Sequence, residues 1–430
     1  MIGALIAVAC TAGDDGSPDP TGGPALSSPP AVEAPPAPPP SSASSLPGRL
    51  LVKQTDGSLV TVRPDGSDLQ VLAKGAGQDL QVLQAAWAPD GSRVAWVQVD
   101  TADGPAEARI VTADPDGGNR RETTMPIVPF YLSWDPTSAR VGYLGSDGGD
   151  RLEMGVVESG GRADPPTTLG RGSPFYFAWA PEGDRVLVHV GRGRLDELGI
   201  DGSSASLGAS PGMFQAPVWS SDGTAQIYVE GQGGGERQRI VVRDAQSGSS
   251  RTLASADGAV SLVLSPDGEQ VAFQGLNREE ANLFDRTLPQ RATDVGVTVL
   301  DVDTGRAERV TVQPAVAFFW GPSGDRLLIL EPIYRIAGPM YFRWVVWDGK
   351  DSIVTSAFTP GISLLTEYTP FFSQYAQSLT MWAPDGSAFA YPADRPPAPS
   401  TIFVQPVTSG QEPYALGTGS FVAWSPDPGR

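Results

Sequence analysis

The sequence predicts an all-β fold, a β-propeller of eight four-stranded blades whose ring is closed by N-terminal strands pairing with the C-terminal strand. Three observations predict it. One short phrase recurs eight times, strand-type runs follow each copy, and the strands missing from the last copy stand at the start of the folded part.

The phrase reads WAPDG at 87–91, WDPTS at 134–138, WAPEG at 179–183 and WSSDG at 219–223. It returns as LSPDG at 264–268, WGPSG at 320–324, WAPDG at 382–386 and WSPDP at 424–428. Seven of the eight copies begin with Trp, and Trp87 to Trp424 covers 337 residues in seven intervals, about 48 per unit, which is the propeller period. Runs such as RVAWV (93–97), RVLVHV (185–190) and RLLIL (326–330) follow the phrase. They are rich in β-branched and aromatic residues and bounded by turn signals. The Pro-Asp-Gly element between strands is turn chemistry, because Pro presets φ and Gly accepts a positive φ. A second strand pair, as in QRIVVRDAQSG (238–248), brings most units to four strands, the content of a blade. No long segment carries helical periodicity.

The last phrase lacks its following strands. GRLLVKQ (48–54), SLVTVRPDG (58–66) and DLQVLA (68–73) supply three, so the eighth blade takes one strand from the C-terminus and three from the N-terminus. Such a closure leaves no open edge between terminal blades.

The units Trp87-Ala88-Pro89-Asp90-Gly91 with Arg93-Val94-Ala95-Trp96, and Trp382-Ala383-Pro384-Asp385-Gly386 with Phe389-Ala390-Tyr391, resemble the repeats of TolB-type propellers. Similar repeats form the N-terminal domain of dipeptidyl peptidase IV-type enzymes. The resemblance covers 48–430 and implies the fold. It does not select a function, because related repeats serve in transport accessories, peptidase gates, sugar-active enzymes and sensors. TolB itself has fewer blades and a separate N-terminal domain, and the peptidases carry an α/β-hydrolase domain.

The chain has 430 residues and a formal charge of -19, from 30 basic and 49 acidic side chains. That excess repels phosphate and anionic lipid, which sets nucleic acid and polybasic membrane attachment aside. One cysteine, Cys10, and one histidine, His189, leave no intrachain disulfide and no cysteine zinc cluster. No cofactor and no metal are expected, and a monomer is.

Residues 1–10, MIGALIAVAC, look like the end of a bacterial lipoprotein signal in which Cys10 is lipidated, with Ala7, Val8 and Ala9 as the small residues before it. The usual Leu is absent at Ala7, and no basic region precedes the apolar run. Residues 11–47 are rich in Pro, Ser, Ala and Gly and read as a disordered spacer. The domain plan is therefore signal 1–10, linker 11–47 and propeller 48–430. The expected location is extracytoplasmic, at a bacterial membrane or envelope through a lipid anchor.

Catalytic motifs are few. GASPG (208–212) matches G-x-S-x-G, yet Pro211 follows Ser210 and the only His precedes it, so it reads as a loop. His189 lies in an alternating strand. DPDGGN (114–119) resembles a calcium loop, but Gly118 stands where a third side-chain ligand belongs. Asp301 and Asp303 are the kind of pair glycosidic cleavage needs, although turn positions would solvate them.

The aromatic signal is stronger. Phe130, Tyr131, Phe175, Tyr176, Phe214 and Phe318 precede Trp phrases, and EYTPFFSQYAQSL (367–379) holds Tyr368, Phe371, Phe372 and Tyr375. In TolB-type blades this segment leads into the innermost strand, so the resemblance places these rings near one mouth of the central channel as candidate binding residues. Packing between neighbouring blades is the ordinary alternative. The units holding 276–294 and 333–379 are overlong, and long loops on a rigid scaffold tend to carry recognition. The expected function is a noncatalytic extracytoplasmic scaffold presenting one face to a protein, peptide or glycan. Alternatives are a carbohydrate-active or other hydrolase or lyase at the channel mouth, and a structural or sensory envelope lipoprotein.

Overall fold

The computed structural model describes residues 37–426, apart from 76, 78, 103, 147, 150, 161–164, 192, 213–214, 232–236, 277–295, 334–339, 371 and 396–397; the side chains of 257, 276, 375, 395 and 398 are also outside the description. Cys10, Phe214 and Phe371 therefore lie outside the described residues, as does the Tyr375 side chain.

Eight separate four-stranded antiparallel sheets follow one another along the chain. The first blade comprises Leu80–Trp87, Val94–Asp100, Glu107–Ala113 and Arg121–Met125. The second to seventh occupy 128–172, 175–206, 218–257, 259–309, 317–354 and 359–418. In the eighth, Leu50–Lys53 pairs with Phe421–Trp424, in the register Leu50↔Trp424 to Lys53↔Phe421. Leu59–Val62 and Gln70–Ala73 complete that sheet. The molecule is an eight-bladed β-propeller with a blade shared between distant parts of the chain.

The phrase works locally as its chemistry dictates. Gly91 adopts φ 68° between the first two strands of its blade, where its N–H reaches Ala88 O. Asp90 Oδ1 accepts the N–H and the hydroxyl of Ser92. In the second blade Ser138 holds the same conformation at φ 60°. There the buried Asp135 braces the turn by accepting the N–H groups of Ala139 and Arg140.

The Trp has a second task, between blades. Five of the seven phrase indoles reach back through N–H to the carbonyl just before the preceding blade's phrase, and Trp219 does not. Trp87 donates to Ala423, Trp134 to Ala86, Trp179 to Ser133, Trp320 to Val263 and Trp382 to Phe319, at 3.1–3.4 Å. A buried indole N–H needs such a partner, and here the need fixes the stagger of neighbouring blades. Trp424 donates instead to Pro47 O at 2.8 Å, and the fifth blade has Leu264 in place of Trp.

The compact unit begins at Ala37, before the boundary expected at 48. Ser41–Ser45 forms a 3-10 turn, and Ala43 is buried in the cluster between the seventh and eighth blades. The proline-rich composition hid this, because a single small apolar residue suffices to fill the crevice.

Candidate functional site

The seventh blade departs from the others at its innermost strand. Thr359–Pro360 pairs with Asp394 and Ala393, but the chain then leaves the sheet and rejoins it only at Trp382, which bridges to Phe389. Between these points it makes a wide helical turn at Leu364–Tyr368 and a short α-turn at Phe372–Tyr375. This segment touches the inner strands of distant blades, so it fills the central channel as a plug.

Two side chains hold the plug by bonding the free edges of innermost strands. The Gln374 side chain accepts the Phe177 N–H and donates to the Phe177 carbonyl, both at 2.8 Å, in the third blade. The Tyr368 hydroxyl donates to Val422 O at 2.6 Å and accepts from Val422 N at 2.8 Å in the eighth. A buried, unpaired strand edge would leave polar backbone groups orphaned, and at Phe177 and Val422 these side chains meet that need. Lys53 and Glu367 add an ion pair at 3.1 Å.

The predicted aromatic residues are placed as follows. Tyr131 is buried, donates to Gln374 O at 2.9 Å and meets Phe177 edge-on, with ring centres 5.7 Å apart. Phe372 is buried against Phe318, centres 4.6 Å apart, and Phe319 at 6.2 Å. Tyr368 stacks at a tilt on Phe421 at 5.6 Å. Burial pushes the Tyr131 and Tyr368 phenols up. Phe175 is buried and Phe130 half-buried in the cluster of the second and third blades. Tyr176 is buried 5.7 Å from the His189 ring, its phenol pushed up to about 12 by burial. The plug thus brings Tyr131, Phe318, Tyr368 and Phe372 into one interior, whereas Phe130, Phe175 and Tyr176 belong to blade packing. Among the described residues, Tyr131, Phe318, Tyr368 and Phe372 pack within the ring rather than line an open mouth.

A ligand would meet different residues. At the end of the ring that carries the phrase turns lies a depression of about 370 Å³. Its floor is Leu264, Phe319, Ala376, Leu379 and Met381, and its rim includes Pro89, Pro266, Pro322, Pro384 and Pro426. The floor comes partly from the plug and the rim from five repeats of the phrase, so a turn residue chosen for φ also builds an apolar collar. Asp90 is the one titratable side chain in its lining. A larger crevice, about 500 Å³, runs between residues 43–49 and the turns of the eighth and first blades. Its Arg49 is already bonded to Asp68 and Thr61, and its Asp65 to Ser67.

The catalytic motifs resolve into structure. Ser210 accepts the Gly231 N–H through its carbonyl, and Pro211 bridges Glu230, so GASPG is part of a sheet edge. In DPDGGN, Asp116 accepts the Gly118 N–H and Asp114 accepts from Asn119. Among the described residues no group of three or more His, Cys, Asp or Glu could hold a metal ion. Asp301 caps its own turn, and bonds from Thr304 hold it below the usual carboxylate range. His189 is 2% exposed; its Nδ1 lies 2.7 Å from the Gln215 carbonyl, so Nδ1 carries the proton. Burial keeps its pKa below the ordinary value.

The fold and this site define an eight-bladed propeller with a self-filled channel. No known protein-family profile matches the chain, and no curated protein matches it. Among solved structures it resembles TolB from Acinetobacter baumannii, at 13% identity and TM-score 0.40 over 78% of this chain and 83% of that one. It resembles a eukaryotic initiation factor at 11% identity and TM-score 0.51, over 89% and 99%. An oligogalacturonate lyase from Vibrio parahaemolyticus matches at 11% and 0.45, over 79% and 86%. A likeness at these identities is one of fold, and the named functions differ from one another.

Proposed function

We propose that the chain is a noncatalytic extracytoplasmic binding scaffold that offers the phrase-turn end of its ring to a protein, peptide or glycan partner. The observation that carries this is the depression itself: concave, apolar, and lined by one titratable side chain. General acid–base cleavage asks for at least two positioned groups, and glycosidic cleavage for two carboxyls. The channel interior, where such groups would otherwise converge, is taken up by Gln374, Phe372 and Tyr368. An apolar hollow with a firm rim is what recognition uses.

The test is a crosslinked pull-down from intact cells, comparing the native chain with Leu264→Glu/Ala376→Glu. Both positions are half-buried at the floor, so the variant is used only where its circular dichroism and melting temperature match those of the native chain. Loss of a specific crosslinked band supports the reading, and an unchanged set of bands defeats it. The location is part of the same proposal: the apolar run ending at Cys10 serves as a lipidation signal. No helix among the described residues is long and apolar enough to cross a membrane. Metabolic labelling with a clickable fatty acid should depend on Cys10; label that survives Cys10→Ala, or no label at all, removes the anchor.

A further inference from the structure

We infer that the partner seated in the depression is a polypeptide segment whose apolar anchor is flanked by Lys or Arg. This rests on the scaffold reading above and adds the charge of the occupant. The apolar anchor is required by the floor, which offers Leu264, Ala376 and Leu379 and room for about one or two large side chains. The charge follows from the collar. Three of the five blades whose prolines form the rim carry an exposed acid beside that proline: Asp90, Asp267 and Asp385. In Asp90, Asp267 and Asp385 the turn's own hydrogen bonds fall on Oδ1, leaving Oδ2 for a cation.

The arginines nearest these turns form no ion pair with Asp90, Asp267 or Asp385 among the described residues: Arg93 donates to the Ser159 and Asn119 carbonyls, and Arg326 to Gly386 O. The whole chain carries -19, so the long-range field favours the same sign of partner that the collar does. An apolar floor flanked by three exposed acids matches an apolar residue flanked by basic ones. It repels an anionic glycan.

The test uses the full chain and two labelled probe peptides, each two leucines flanked on both sides by three lysines or by three glutamates. Anisotropy at low salt should show the lysine peptide binding at least tenfold tighter, with the preference shrinking as salt rises. Asp90→Asn/Asp267→Asn should weaken that binding at least fivefold, since Asn keeps the turn while losing the charge. Asp79→Asn/Glu107→Gln makes the same charge change at the opposite end of the first blade and should alter binding less than twofold. Equal weakening by the two pairs means diffuse attraction and overturns the inference, as does failure of the lysine peptide to bind. Equal binding of both peptides, still abolished by Leu264→Glu, overturns the charge and leaves the scaffold reading standing. Binding indifferent to Leu264→Glu overturns both.

Discussion

Two of the joints between blades are built in opposite ways. At the sixth and seventh blades, Trp344 meets Phe389 at 5.6 Å and Tyr391 at 5.7 Å, and Phe358 meets Tyr391 at 4.8 Å. Trp382 adds its hydrogen bond to Phe319. At the third and fourth, the apolar contacts shrink to two small clusters, one around Trp219 with Ala178, Ala180 and Leu187, and one of Leu195, Tyr228 and Val241. The Trp219 N–H is buried with no hydrogen-bond partner among the described residues. Polar groups do the rest: His189 lies on the Gln215 carbonyl and Gln226 donates to Glu197 at 2.6 Å, while Gln215 itself is fixed within the fourth blade by accepting the Val229 N–H. The repeat is the same, yet one joint is held by aromatic area and the other by hydrogen bonds. A joint of the second kind opens at lower free energy, because water can replace each of its bonds.

The largest expected effect is at the aromatic joint. Trp344→Ala should cost about 3–5 kcal/mol, the range for a buried Trp, measured by denaturant unfolding. A loss under about 1 kcal/mol would show that the two joints do not differ as described. Next comes a paired substitution of the same ring. Trp134→Phe leaves the Ala86 carbonyl without its donor and should cost about 1–3 kcal/mol. Trp219→Phe removes an N–H that has no described acceptor and should cost distinctly less. Equal costs would mean that the indole bond contributes nothing to the stagger.

The polar joint should also be the acid-sensitive one. His189 has a depressed pKa in the fold, so below about pH 6.5 the unfolded chain takes up a proton that the folded chain refuses. Stability is therefore full above that pH and falls as the pH drops toward the lowered folded value. The turn acids, whose reference value is 3.8, act only further down. Between pH 7 and 5 the melting temperature of the native chain should fall more than that of His189→Gln, and hydrogen exchange should quicken first at 186–190 and 226–230. Parallel pH profiles would remove His189 from the account. The smallest effect is a control outside both joints: Ser138→Gly in the second blade relieves a positive φ but removes the hydroxyl that accepts the Asp90 N–H, so denaturant unfolding should shift by less than about 1 kcal/mol.

The ring was legible because repetition amplifies a weak signal. Pro-Asp-Gly alone is any turn, but eight copies at one period require one architecture, and GRLLVKQ completes the unit begun by Phe421–Trp424. The role of Trp as a donor to the neighbouring blade was not legible, since the acceptor is a backbone carbonyl 46 to 63 residues back, or 336 residues ahead where the ring closes. The plug was half legible. Its length and its aromatics marked 360–379 as exceptional, but Leu364–Tyr368 and Phe372–Tyr375 are too short to show helical periodicity and hold only because the channel packs them. Gln374 gave no signal at all: a glutamine reads as surface until a strand edge is placed opposite it. The depression was missed for the same reason, as its prolines were read one turn at a time.

The shared blade sets a clock on synthesis. Leu50 and Trp424 are partners 374 positions apart. At equilibrium that distance matters little, because closing a loop costs only about 0.6 kcal/mol more per doubling of its length. In time it matters a great deal. At about 5–20 residues per second, roughly 20–75 s pass between the emergence of the first partner and that of the second. Throughout that interval the strand at Leu50–Lys53 offers a bare edge to any passing chain, so this protein should lean on a holding factor during biogenesis more than its finished ring would suggest.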